Sequence, residues 1–315
     1  PITLKLQTVK QDYELIKENY RSIKGSIIPN SDRKLKVSRS LLTEKEALII
    51  EARKSLTNSI GISFELISPS NVVVGSYTDE IRRKRNETIK NIKLSRHFLV
   101  SKFLITEFQF FLSKATESGS KELPVRNVSW KEAALFCNWL STKEGYKPFY
   151  LFKENGSYEL NTNSTGYRLL TEAEWEYVAR GLARKVYPWG NEQEISEAVG
   201  NFADESLSGE VNFYIQNYYD DYKGRSPIDA FAPNEKGLHD LGGNLSEWVT
   251  DFYSEDLIFS NEALNDYLGP EFGNSHVVKG SNYLSSSYHE LGFSFRDSGE
   301  VASDVVGFRI ARWVY

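Results

Sequence analysis

The most informative stretch of the chain is Gly237-Leu238-His239-Asp240-Leu241-Gly242-Gly243-Asn244-Leu245-Ser246-Glu247-Trp248. It puts a carboxylate, two glycines, an amide and a second carboxylate within eight residues. Hard cations such as calcium take several oxygens from carboxylates, amides and backbone carbonyls. Glycines let the backbone turn tightly enough to aim carbonyls inward. Asp240 and Glu247 are candidate side-chain ligands there, with Gly243 and Leu245 offering carbonyls. A Gly-rich turn whose Asn and Asp bond their own backbone explains the same spacing equally well. A second oxygen-rich set combines Asn201-Phe202 with Asp220-Asp221-Tyr222, provided that a loop brings them together.

Other chemistries find less support. The single cysteine of the 315 residues excludes an internal disulfide, a zinc ribbon, an iron–sulfur ligand set and a CxxC pair. Cys137, within Phe136-Cys137-Asn138-Trp139-Leu140, reads as a small buried hydrophobe on an amphipathic helix. His97, His239, His276 and His289 form no HxxxH or HExxH pattern. Each reads as a surface or packing residue rather than a ligand. No GxSxG elbow is present. A net charge of -5 argues against a nucleic-acid surface. No run is long and apolar enough to span a membrane. The chain opens on Pro1, so the expectation is either a cytoplasmic protein or one exported after loss of a leader.

The elements that must position these groups fall into two parts. Residues 1–57 are expected to form an N-terminal helical arm, a packing extension or a partner interface. Tyr13, Leu15, Ile16 and Tyr20 suggest a helix over 11–22, and Ile28-Pro29-Asn30-Ser31 a turn. The capping box Thr43-Glu44-Lys45-Glu46 starts a helix to about Leu56. Residues 58–315 form the second part. Strands are expected at 62–67, 72–75 and 98–103, with a surface loop over 77–91. Three helices carry start signals: Thr106-x-x-Gln109, Ser129-x-x-Glu132 and Thr171-x-x-Glu174, the last two stopped by Gly145 and Gly181. About 130 residues of loops and short strands follow Gly181. Loops of that length stay ordered through aromatic packing, buried hydrogen bonds or bound ions. The six tryptophans read as core.

Taken in order, several segments resemble the formylglycine-generating enzyme (sulfatase-modifying factor) family. They are Asn58 to Phe64, Val128-Ser129-Trp130-x-Glu132-Ala133, Phe136 to Ser141, Tyr167 to Tyr177 with its Arg-Leu-Leu-Thr-Glu-Ala-Glu-Trp-Glu core, Tyr187-Pro188-Trp189-Gly190-Asn191, Gly237 to Trp248, and Gly307-Phe308-Arg309. The resemblance covers 58–315. It implies an α+β, loop-rich, atypical C-type lectin fold organised by two calcium ions. By that resemblance the first ion maps onto Asn201, the Phe202 carbonyl, Asp220 and the Tyr222 carbonyl. The second maps onto Asp240, Gly243, Leu245 and Glu247, with Asp240 where the family usually has Asn. The oxidase members use two copper-binding cysteines shortly before the Gly-Phe-Arg motif. Here Tyr288 and Phe293 stand at about those positions, and neither is a thiolate ligand. The iron triad of the related sulfoxide synthases lies on a helical domain, but residues 1–57 contain no histidine. In some relatives the helix cysteine pairs with one just after Gly-Phe-Arg; here that position is Ile310.

The expectation is a bacterial-type member without the oxidase chemistry, a pseudoenzyme that binds a protein or peptide and carries calcium but no copper or iron. Its groove would be lined by Ser285, Tyr288, His289, Phe293, Ser294 and Arg296. Arg296 is equally readable as a buried salt bridge. Alternatives are an enzyme of different oxidoreductase chemistry using His289 and Arg296, or an accessory of sulfatase maturation.

Overall fold

The computed structural model describes residues 9–29, 39–80, 83–181, 183–195, 197–255 and 262–315. The chain divides into two compact units, Pro1–Ser55 with Tyr315, and Leu56–Val314.

The first unit corrects the expected helix over 11–22. Strands β1 (Gln11–Lys17) and β2 (Tyr20–Ile27) form an antiparallel hairpin instead. Burial alternates along both strands, so period two wins over the helical reading of Tyr13, Leu15 and Ile16. Two residues suggest the hairpin in retrospect. Asn19 takes φ 65° in the turn, a conformation Asn tolerates well. Gly25 sits opposite Tyr13 and leaves room for its ring, which a Cβ would meet at 2.5 Å. Helix α1 (Glu44–Lys54) forms where expected, with the full Thr43–Glu46 capping box. Of the expected turn, Ile28 and Pro29 carry no regular structure, and Asn30 and Ser31 lie outside the described residues.

The second unit begins with β3 (Phe64–Ile67) and β4 (Ser70–Val74). The turn between them hands the chain from one sheet to another, because they pair with different partners. Strands β5 (Lys90–Leu94) and β6 (Phe98–Ser101) follow. The expected surface loop before β5 buries one residue deeply, Glu87 at 2% exposure. Helices α2 (Glu107–Leu112) and α3 (Trp130–Lys143) each start on a reciprocal capping box. After β7 (Tyr150–Phe152), β8 (Tyr158–Leu160) and β9 (Arg168–Leu169), α4 (Glu172–Arg180) starts on a third capping box and ends at Gly181, φ 63°.

The remaining strands are β10 (Ser246–Phe252), β11 (Leu264–Asn265), β12 (His276–Lys279), β13 (Arg296–Gly299), β14 (Val306–Gly307) and β15 (Ile310–Trp313). One sheet runs β3-β6-β15-β9 and another β13-β12-β10-β14; a third, β11-β5-β4, and the β7-β8 hairpin complete the set. The C-terminal strand β15 thus pairs with β6 and β9 inside the first sheet. The core between sheets and helices holds Trp130, Trp175, Trp248 and Trp313, all at most 3% exposed; Trp139 and Trp189 are half-buried.

The long loops after α4 are ordered by two of the expected devices. Tyr187, Phe202, Tyr218 and Leu291 form a buried cluster of their own. Buried side-chain hydrogen bonds supply the rest, among them those of Asn244 to Ser226 and Asp240.

Candidate functional site

The loop before β10 turns through two residues at positive φ, Asp240 (55°) and Asn244 (61°), besides Gly243 at 96°. Asn244 acts as the loop's internal clasp. Its Oδ1 accepts from Ser226 N, and its Nδ2 reaches Ser226 O and Asp240 Oδ2, all at 3.1–3.2 Å. Asp240 Oδ1 is buried with no hydrogen-bond partner. A buried unpaired carboxylate oxygen is costly, so this atom asks for a ligand. Burial raises the Asp240 carboxyl to about 7.

Glu247 enters β10 seven residues later. Its carboxylate is held in a two-pronged pair by Arg309, Nε and Nη2 each at 2.7 Å. Arg309, the arginine of Gly307-Phe308-Arg309, also donates to His239 O at 2.7 Å. Glu247 and Arg309 both act electrostatically on Asp240. This pocket therefore holds two carboxylates and one guanidinium.

The loop at Asn201 has a different charge balance. Asp220 accepts from Phe202 N (2.8 Å) and Tyr222 N (2.9 Å), which draws together the residues the sequence had left 18 apart. Asp220 N donates to Asp204, whose side chain is itself buried. Burial, reinforced by Asp204 and Asp221, pushes the Asp220 carboxyl up to about 6. Asn201 Nδ2 donates to Gly224 O at 2.7 Å, but its Oδ1 is buried and unpartnered.

The two loops interlock. Asn244 N donates to Asn201 O at 2.8 Å. A Cβ on Gly243 would meet Asn201 backbone atoms at 2.7 Å, and one on Gly200 would meet Gly242 O at 2.5 Å. Only glycine fits at these two contacts. Among the described residues, no cluster of three or more His, Cys, Asp and Glu side chains is built to hold a metal. Both loops instead mix carboxylates with amide and backbone oxygens, a donor set of the hard-cation kind.

The six groove residues are not gathered into one cleft. Tyr288, His289 and Ser294 line a depression of about 10 Å³, room for about one water. There His289 Nε2 bonds Glu87 Oε1 at 2.9 Å, and Ser76 Oγ donates to Glu87 Oε2 at 2.7 Å. Burial alone would raise the Glu87 carboxyl, but these bonds hold it below its ordinary value. Phe293 is buried edge-on to Trp175, with ring centres 6.2 Å apart. Ser285 caps its own turn, accepting from Asn282 N, and its carbonyl accepts from Ala203 N. Arg296 takes the salt-bridge alternative. It pairs with Glu172 through Nε and Nη2 and donates to the Asn86 and Ser254 carbonyls, at 8% exposure.

Cys137 is fully buried on α3. Burial pushes its thiol far above the ordinary value, so it is held as a neutral packing group.

Sequence reasoning did not assign Arg309, Glu87 or Asp204. Arg309 was visible only as part of a motif with no stated partner. Glu87 sits 202 residues from His289, and nothing in a charged stretch signals such a pairing.

Residues 66–314 match the sulfatase-modifying factor enzyme 1-like domain. The chain is similar to the formylglycine-generating enzyme of Bos taurus, 31% identical over 194 residues, covering 60% of this chain and 43% of that protein. It is similar to the inactive C-alpha-formylglycine-generating enzyme 2 of Mus musculus, 30% identical, covering 60% and 49%. The chaperone protein LppX of Paenibacillus barcinonensis is 32% identical, covering 54% and 68%. The chain matches somewhat under half the length of the two formylglycine-generating enzyme relatives. Because the domain match spans most of the second unit, the chain belongs to the sulfatase-modifying factor enzyme 1-like family.

Proposed function

We propose that this chain is a non-catalytic member of its family, a calcium-stabilised module that binds a protein or peptide. One observation carries the reading. The sole thiol, Cys137, is buried in the core, while Tyr288 and Phe293 stand where the resemblance would put the oxidase cysteines. A copper(I) site of that kind needs exposed thiolates, and none of these side chains provides one. The similarity to an inactive enzyme and to a chaperone supports the same reading.

Calcium fits the two interlocked loops. Asn201 Oδ1, Asp220 and the carbonyls of Phe202 and Tyr222 would hold one ion. Asp240 and the carbonyls of Gly243 and Leu245 would hold the other, with Glu247 joining them only by giving up part of its pair with Arg309. The unpartnered buried oxygens Asn201 Oδ1 and Asp240 Oδ1 support both assignments. Bound calcium would supply charge neutralisation and loop order, not redox chemistry. The alternative of other oxidoreductase chemistry at His289 and Arg296 draws no support from Arg296, which is engaged by Glu172.

The test is direct. Protein supplied with copper(I), oxygen and a CxPxR peptide should leave the peptide cysteine unmodified in mass spectra; an aldehyde product overturns the reading. Elemental analysis of purified protein should find calcium without stoichiometric copper or iron. A redox metal bound one per chain would also overturn it.

A further inference from the structure

A cavity of about 950 Å³ lies beside the β7-β8 hairpin, away from the interlocked loops and the His289 depression. That volume is at the upper end of small-molecule sites, roughly 300–1,000 Å³. Its wall contains a hydrogen-bonded relay running from Glu300 through His276 to Tyr158. His276 Nδ1 meets Glu300 Oε1 at 2.5 Å, and its Nε2 meets Tyr158 Oη at 2.7 Å.

The ring of His276 cannot swing. It is stacked on Trp130 at 3.5 Å and 7°, with Phe252 on its other side at 4.5 Å and 27°. Register fixes it further, since His276 pairs with Phe252 of β10 and Gly299 of β13.

This arrangement sets the polarity of the relay. Burial lowers His276 to about 3, which favours a neutral imidazole with one N–H, and the polarity that follows is that of this form with Glu300 ionised. A carboxylate only accepts, so that N–H is on Nδ1 and points to Glu300. Nε2 must then accept, and the Tyr158 hydroxyl must donate to it. Toward the cavity, Tyr158 Oη is left able only to accept. Burial chiefly raises the Tyr158 phenol, so it stays a neutral hydroxyl, with the Glu300 and Asp251 charges acting in the same direction.

The rest of the wall agrees in sign. Three carboxylates line the cavity, Glu159, Glu271 and Glu300, against Lys131 and Lys153. Lys153 is already paired with Glu159. Phe152, with Lys131 Nζ 5.8 Å over its ring, and Phe252 line the wall, and Phe272, 78% exposed, lines it too and is the aromatic ring most open to a ligand there. Aromatic faces attract cations through their quadrupole.

We propose that this cavity binds a guanidinium or primary ammonium group on an apolar stem, with its N–H groups on Tyr158 Oη and Glu300. The cation comes either from a free alkylamine or alkylguanidine, or from a basic side chain of a peptide. The site does not depend on the loss of oxidase chemistry proposed above.

The experiment is calorimetric titration of the full chain with butylammonium, butylguanidinium, the neutral butylurea and an acetyl-Gly-Arg-Gly amide. At least one butyl cation should saturate a single site, and butylurea should bind about tenfold more weakly or worse. A tripeptide tighter than butylguanidinium assigns a partner's side chain; a weaker one assigns a free amine. Tyr158→Phe keeps the ring and should weaken cation binding about tenfold, as should Glu300→Gln. Phe272→Ala, at an exposed position that cannot unfold the protein, should weaken it several-fold. Equal binding of butylurea overturns the proposal, as does no saturation at millimolar cation, or full affinity in both relay variants with an unchanged melting temperature.

Discussion

Two buried acids of the second unit, Glu172 and Asp220, differ in the supply of cations. Around the start of α4, Glu172 and Glu176 face Lys90, Lys279, Arg296 and Arg180, all within 4.0 Å. Around Asn201, Asp220 N donates to Asp204, and the charges that act most on Asp220 are those of Asp204 and Asp221. Burial penalises the carboxylate in both places. In the first, Arg296, Lys90 and Lys279 more than offset burial and take Glu172 down to about 2. In the second, burial is uncorrected and Asp220 goes up to about 6. A buried acid that carries its own cations is architecture. One that lacks them is a candidate ligand for a cation from outside. The Asp240 loop lies between these extremes, with one arginine for two carboxylates.

The contrast can be broken in four ways. The largest effect should come from Arg296→Ala, which leaves Glu172 buried against fewer cations. It should cost about 3–5 kcal/mol in urea denaturation. A loss within the ordinary surface range would mean that Lys90 and Lys279 balance the cluster alone.

Acid should reach the same cluster next. Glu172 has a lowered folded value, so its contribution is present above the ordinary 4.5 and is lost as pH falls through about 2. The lost stability is about 3 kcal/mol at most. Glu172→Gln should flatten that acid limb in denaturation curves; an unchanged slope between pH 4.5 and 2 would show another group responsible.

Chelation should act on the other region. Replacing saturating calcium by EDTA should remove about 2–3 kcal/mol, for a ligand near 100-fold over its dissociation constant. Amide exchange should then rise around 200–222 and 240–247 while α3 and α4 stay protected. An identical melting curve with and without EDTA removes the calcium assignment.

The smallest effect has the sharpest sign. Asp220→Asn removes a charge that burial disfavours. Without calcium it should be neutral or stabilising by about 1 kcal/mol, and with calcium it should destabilise. Destabilisation of equal size in both conditions would class Asp220 with Glu172.

The legibility of this molecule in its sequence follows the range of the interactions. Capping boxes at Thr43, Ser129 and Thr171 act over three residues, and those helices begin where the sequence says. The hairpin at 11–27 is not legible locally, because Tyr13, Leu15, Ile16 and Tyr20 suit either period. The pairing with β2 decides it. Asp240 and Glu247 stood out by local spacing. That Asn201 and Asp220 converge was only a possibility, because closing a loop of that size leaves no local mark.

Family membership, the three capped helices of the second unit and the lack of a second thiol are all readable from residue order alone. These rest on residue identity and on contacts a few positions apart. Which charged groups meet is set by the folded chain. It turned Arg296 toward Glu172, put Arg309 on Glu247, and left Asn201 Oδ1 and Asp240 Oδ1 without partners. It also fixed His276 between two rings and gave it Glu300 and Tyr158. The reason is physical. A side chain's chemistry depends on its dielectric surroundings and its nearest charges, and those are supplied by residues tens to hundreds of positions away.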